Sequence, residues 1–322
     1  MIGNLQLLRA FAASGVVIYH ANAKIFGVHT EFCGVALFFT LSGYLMCKIS
    51  NRNALDFARD RLCRIVPNYW MATIFLLTLF HMWTYWPTYH TVLSFFFIPH
   101  DSIAGVHPVL AVGWTLNLEM YFYLLFTLAL MINHRFAGII AGSVIMLIWY
   151  ALPHLTDNKT LLYYYHNEQV PYFAIGIVIW YLSEGIRKLN LPIKLPKLTL
   201  PVCMIIYIVA ILSEYNNMTA VTLLFLAAVL CSQYGADLQI KKILLLGNAS
   251  YALYLLHTIL IEYLRHKGIQ SNGSFLYTSG VMIGSWLIAL AWYMTIEKTL
   301  SHIFRRKKKS VSIPDRIITA TG

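Results

Sequence analysis

Residues 5–24, LQLLRAFAASGVVIYHANAK, form an apolar run interrupted by two ionisable side chains, Arg9 and His20. A helix needs about 20 mostly apolar residues to cross a bilayer, and this run almost supplies them. An ionisable group inside such a helix is costly, so it is rare there and faces a polar interior or a cavity. Eleven residues at about 100° each turn through roughly 1100°, which is three turns plus about 20°. Arg9 and His20 therefore share one face, about 16 Å apart along the axis. Two blander readings compete with this one. Arg9 could be the basic start of a signal peptide with Ala21-Asn22-Ala23 as its cleavage site, but no soluble domain follows. Alternatively, His20 snorkels at a helix end.

The composition settles the class. Of 322 residues, 59% are hydrophobic and 11% are charged. A soluble domain of this length cannot hide so much apolar surface, so the chain reads as a polytopic membrane protein. The net charge of +11 would suggest nucleic acid in a soluble chain. Here the positive residues sit between apolar runs and report topology instead, so no nucleic-acid partner is expected. Cys33, Cys47, Cys63, Cys203 and Cys231 show no C-x-x-C or metal spacing. They read as small core residues, and no metal is expected.

Ten candidate spans follow from the apolar runs: 5–24, 35–50, 65–85, 113–132, 136–152, 170–185, 198–213, 218–233, 250–266 and 275–296. The basic residues test this drawing. Lys48, Arg52, Arg59, Arg61, Arg64, Arg135, Arg187, Lys188, Lys194, Lys197, Lys241 and Lys242 fall in alternate connections, and seven more lie in the tail from Lys298. The intervening connections hold only Lys24, Lys159, Arg265 and Lys267. The positive-inside rule then places both termini and the basic connections in the cytoplasm. The expected fold is all-α, with about ten transmembrane helices over 1–300 and a basic cytoplasmic tail over 301–322. That tail suits anionic lipid headgroups.

This orientation puts Arg9 towards the cytoplasmic end of the first helix and His20 towards the outer end. Glu119 lies one to two turns inside the span that enters at Gly113. His20 and Glu119 thus stand at similar depth, and a carboxylate there could fix the imidazole tautomer. Arg61 and Arg64, three residues apart, share a helical face at the cytoplasmic mouth, and two guanidinium forks suit a phosphate-bearing ligand. Positive-inside charge alone is the simpler account of that pair. In FFTLSGY, 38–44, Gly43 allows close helix approach and Ser42 can bond across helices. Trp114 and Tyr123 fall in an aromatic-rich stretch that could be an interfacial belt. His257, in the ninth span, is either a second polar wall of a cavity, contacting substrate, or a satisfied core histidine. His81, His90, His100 and His107 border the long outer loop.

Together these stretches resemble the acyltransferase-3 family of integral membrane acyltransferases, in particular its exopolysaccharide-production branch. The resemblance rests on Arg9 with ten residues to His20, FFTLSGY at 38–44, RLCRIVPNYW at 61–70, GWTLNLEMYFY at 113–123 and NASYALYLLH at 248–257. They occur in the family's order across nearly the whole chain. One departure stands out: family members often carry an acidic residue where this chain has Ala36, so Glu119 or Glu31 must substitute if that carboxylate assists the histidine. The chain ends soon after the tenth span, so the extracytoplasmic hydrolase-like domain of some relatives is not expected.

The resemblance implies acyl transfer, usually of acetyl, from cytoplasmic acyl-CoA to a hydroxyl of a cell-surface polysaccharide or lipid-linked glycan. No permanently bound cofactor is implied; acetyl-CoA is the donor substrate. In that reading Arg9, Arg61 and Arg64 hold the donor's phosphates or pantetheine end. His20 is the general base, and Glu119 orients it or binds acceptor. Trp114, Tyr123, Ser42 and His257 contact substrate. The implied location is a bacterial inner membrane, with a homodimer among the open assemblies. The rival reading from another class is a transporter or flippase for a lipid-linked sugar. Against it, no paired discontinuous helices appear in two matching halves.

Overall fold

The computed structural model describes residues 2–25, 27–83, 88–101, 105–214, 216–271 and 274–304. The helices in chain order are α1 (Gly3–His20), α2 (Gly34–Lys48), α3 (Ala54–Leu79), the short α4 (Thr88–Phe95), α5 (Gly113–Ile132) and α6 (Ala137–Leu155). Then come the short α7 (Lys159–Tyr165), α8 (Pro171–Lys188), α9 (Thr199–Leu212), α10 (Asn217–Gln233), α11 (Lys241–His266) and α12 (Phe275–Trp292). The last of these continues through a π-turn, Tyr293–Glu297, into α13 (Lys298–Phe304). All but α4, α7 and α13 fall on the ten expected spans. Five are long and apolar enough to cross a membrane on length and composition alone: α3, α5, α6, α11 and the joined helix Phe275–Leu300. The protein is an all-α, multi-pass membrane protein. The tail expected from residue 301 lies, from 305 onward, outside the described residues.

Several helix bounds differ from expectation, among them the end of α1 and the starts of α3 and α11. α1 stops at His20 instead of running to residue 24. Asn22 adopts the left-handed conformation, φ 57°, and Ala23 N–H donates to Ile18 O while Asn22 N–H donates to Tyr19 O. That pair of bonds closes a helix C-terminus through a left-handed residue, a role asparagine tolerates. α3 starts eleven residues early because Asn53 caps it, its side chain accepting from Leu55 N–H at 2.9 Å. Asp56 in the first turn suits the helix dipole. α11 likewise begins at Lys241, before the apolar run. Arg61 and Arg64 therefore sit on α3 itself, not in a loop. Beyond them Pro67 removes one intrahelical N–H. Nearby, the Asn68 side chain donates to Arg64 O and the Tyr251 hydroxyl to Ile65 O.

Two helix pairs form the centre, α2 with α8 and α1 with α11. The first pair meets backbone to backbone. A Cβ on Gly43 would stand 2.1 Å from Phe173 O, and one on Gly176 would stand 2.0 Å from Thr40 O. Small residues at such crossings let helices pack closely without a hydrophobic drive from lipid. α9 and α12 stay peripheral, with Ile205, Ile206, Ile283 and Leu287 turned outward, as lipid contact requires.

Connections alternate between two ends. One end gathers the α1 N-terminus with the α10–α11 loop, where Asp237 accepts from the Gly3 and Asn4 N–H groups. The α2–α3 and α5–α6 connections also meet there, His134 Nδ1 lying against Ser50 O. The α8–α9 loop joins through Leu195 N–H to Tyr234 O. These are the connections that carry the dense lysines and arginines. At the opposite end Ser271 donates to Ala21 O and Tyr164 to Val106 O.

Candidate functional site

Arg9 lies in the middle of α1 and is 9% exposed. It lines a cavity of about 80 Å³ between α1, α2, α3, α5 and α11, together with Ser42, Arg61, Arg64, Glu119 and Tyr123. Six residues singled out from four separate stretches of sequence thus meet in one place. Glu119 is the hub of the polar wall. Its Oε1 accepts from Ser42 Oγ at 3.3 Å and from the Tyr123 hydroxyl. Tyr123 follows Glu119 by one helical turn, so α5 presents both on one face.

The charge is cationic on balance. Three guanidinium groups face two carboxylates, Glu119 and Glu297, the second reaching Arg64 and Arg9 electrostatically from the π-turn. Single-turn π-bulges recur at functional sites. Glu297 Oε2 and Arg61 Nε are both buried without a hydrogen-bond partner among the described residues. A buried donor left unpaired costs about 1–3 kcal/mol, more if charged, so such a group points to a missing ligand. At about 80 Å³ the cavity is well below the roughly 300–1,000 Å³ of drug-sized ligand sites. A space of this size encloses at most one end of such a ligand.

His20 does not line this cavity. It ends α1 at the opposite end of the bundle, and its Nδ1 lies 3.2 Å from His257 Nε2 and 3.0 Å from Val16 O. Glu119 makes no hydrogen bond to it among the described residues, so the expected His20–Glu119 contact does not form. Glu31, the other carboxylate considered, sits in the α1–α2 loop, where burial and then the Glu168 charge raise its carboxyl to about 7. No hydrogen bond joins it to His20 either. His257, fully buried, is the histidine's neighbour.

Phe38, Thr115 and Tyr254 also line the cavity, and Tyr254 links it to the histidines. The Tyr254 hydroxyl and Thr115 Oγ1 are 2.7 Å apart, and both are buried. The Tyr254 ring stands 5.8 Å from Phe38 and 6.0 Å from His257. Trp114 belongs to neither group; it packs edge-on to Tyr163, 6.3 Å away, and Tyr163 meets His107. His90 and His100 contact each other at 2.6 Å.

Sequence reasoning missed Glu297, Tyr251 and Tyr254. The last two were legible, since Tyr251, Tyr254 and His257 recur every three residues and so fall along one side of α11. Glu297 lies one residue past the expected last span, beside Lys298, where no apolar run marks it as buried.

Residues 2–294 match the model of a family described as the acyltransferase domain. The chain is similar to the exopolysaccharide production protein ExoZ of Rhizobium meliloti, 28% identical over 93% of this chain and 99% of the relative. It is also similar to the O-acetyltransferase OatA of Staphylococcus aureus, 24% identical over 95% of this chain and 59% of that protein. A third relative is the putative peptidoglycan O-acetyltransferase YrhL of Bacillus subtilis, 25% identical over 93% and 55%. No solved structure matches significantly.

Proposed function

The chain belongs to the acyltransferase-3 family, and from that premise we propose that this membrane acyltransferase moves acetyl from acetyl-CoA to a glycan hydroxyl, with His20 as general base. The observation that carries the donor half is the cavity itself. Arg9, Arg61 and Arg64 converge on one buried space, and Arg61 keeps an unpartnered donor there. The phosphates of acyl-CoA supply what those groups lack, because guanidinium forks pair with phosphate oxygens bidentately.

The basic end faces the cytoplasm in this reading, following the positive-inside rule, and the membrane is a bacterial inner membrane. The thioester arm reaches from the cavity towards His20, past Phe38, Thr115 and Tyr254. His20 takes the proton of the acceptor hydroxyl while that oxygen attacks the thioester carbonyl. The carbon–sulfur bond breaks, and the leaving sulfur receives the proton from His20. Ser42 and Tyr123 hold Glu119, which sets the polar wall against which the arm lies. Trp114 and Tyr163 offer aromatic faces at the outer end, suited to a polysaccharide or lipid-linked glycan.

The test is acetyl transfer in proteoliposomes given labelled acetyl-CoA and the host's own glycan, comparing the wild type with His20→Ala at equal expression. Label enters the glycan with the wild type and not with the variant. Full transfer by His20→Ala removes the base assignment. Glycan translocation without any label incorporation favours a lipid-linked sugar flippase.

A further inference from the structure

The contacts of the two histidines fix where their protons sit. His257 Nδ1 lies 3.0 Å from Leu253 O. A carbonyl oxygen only accepts, so Nδ1 holds the proton, and in the neutral ring Nε2 carries the lone pair. That lone pair faces His20 Nδ1 at 3.2 Å, and the same Nδ1 lies 3.0 Å from Val16 O. Both neighbours of His20 Nδ1 are therefore acceptors, so it too is protonated. The lone pair of His20 is left on Nε2. The other tautomer of either ring sets a lone pair against a carbonyl oxygen.

We propose that His257 is a positioning residue: it holds His20 in the Nδ1–H tautomer and in a fixed ring plane, so that Nε2 is the atom that takes the acceptor's proton. This deepens the acyltransferase reading and rests on it. Val16 belongs to the same helix as His20 and moves with it, whereas His257 is anchored on α11 with its side chain 0% exposed. The rings stand 5.0 Å apart at 58°, so only one orientation of His20 keeps both contacts. When Nε2 gains a proton, the Nδ1–H bonds to His257 and Val16 become charge-assisted and strengthen. A carboxylate does the same for the histidine of hydrolase triads. Here a neutral ring does so without a second charge. Onward relay ends at His257, because its other proton rests on Leu253 O, which cannot hold one.

The experiment uses the full chain in proteoliposomes with labelled acetyl-CoA and glycan, comparing the wild type, His257→Leu, His257→Gln and His20→Ala. Solid-state NMR of ring-¹⁵N histidine accompanies it, the His20 signals being identified by their loss in His20→Ala. Loss of a correctly held base is expected to lower kcat for His257→Leu on the order of 100-fold, the low end of general base catalysis. The KM for acetyl-CoA stays unchanged. Gln restores most of kcat, since its amide oxygen accepts the same bond. In the wild type His20 shows protonated Nδ1 and bare Nε2, and in His257→Leu both tautomers appear. Wild-type kcat in folded His257→Leu, or a His20 protonated on Nε2 in the wild type, overturns the proposal. If His257→Leu does not fold, the Gln variant and the wild-type tautomer still decide it. Absent transfer by the wild type, or full transfer by His20→Ala, sinks the acyltransferase or base reading instead, and the tautomer signals report on positioning independently.

Discussion

At the scale of single residues, the cavity arginines carry the sharpest expectation. Arg61 holds a buried Nε without a partner, so an anion that satisfies it gains a charge-assisted bond of about 1.5–3 kcal/mol. Arg61→Ala should therefore raise the KM for acetyl-CoA roughly 10- to 100-fold and alter kcat far less. Initial rates across donor concentrations in membranes measure this, and an unchanged KM would remove the donor from the cavity. Sequence alone gave the members of this group, because an Arg, Glu or Ser within an apolar span has few places to go but inward. It did not give the partner of His20. Matching His20 with Glu119 used depth, and depth says nothing about azimuth. Glu119 turns towards Ser42 and the arginines, and α1 stops at His20, so the imidazole stands at the opposite end of the bundle beside His257. The five motifs that suggested the family were sufficient for its fold and for acyl transfer as its reaction class, yet their internal pairing needed coordinates.

At the scale of elements, the helices that hold the site are themselves held by remote loops. The N-terminus of α1 has no cap of its own; Asp237 supplies one, taking the Gly3 and Asn4 N–H groups at 3.1 and 2.9 Å, while Asn4 returns a bond from Leu238 N–H. Burial pushes the Asp237 carboxyl up, but the bonds from Asn4, Gly3, Gln239 and Ser232 outweigh it and hold the group below its usual 3.8. A carboxylate with a depressed folded pKa stabilises fully above its unfolded pKa and loses that contribution as pH falls through the folded one. Asp237→Ala should cost about 1 kcal/mol near neutral pH, the loss of a helix cap, seen as a melting point lower by a few degrees. The gap to wild type should close as pH drops below 3.8. Melting curves in detergent from about pH 7 to about pH 3 test this; a gap that stays constant contradicts the capping role. Helix existence was legible from apolar runs, whereas their ends were not. The early start of α3 depends on Asn53 as a cap and the early stop of α1 on left-handed Asn22. Both are decided by one polar residue whose effect is invisible to hydropathy.

At the scale of the whole molecule, the bundle separates two chemistries along its axis. The end that gathers Asp237, His134 and the basic loops is also the end towards which Arg61 and Arg64 lie, within three turns of the α3 start. His20 and His257 occupy the other end, and Tyr254, in contact with Thr115 and Phe38, links them to the cavity. In the proposed reading this polarity decides which face meets the donor. Acetyl-CoA, the proposed donor, is polyanionic and membrane-impermeant, so it serves only vesicles whose arginine end faces the medium. Inverted vesicles, with the cytoplasmic face outward, should transfer label from added acetyl-CoA, and right-side-out vesicles should not until they are permeabilised. The glycan acceptor should show the reverse requirement, consumed when it lies on the histidine side. Equal use of external acetyl-CoA by both orientations would mean that the donor reaches its site from either face, and the arginine end would then not be its entrance. Transfer restricted to inverted vesicles would instead require the acetyl group to travel from the arginine end to the imidazole within one bundle. That makes the 2.7 Å contact between Thr115 and Tyr254 the place where the path must open.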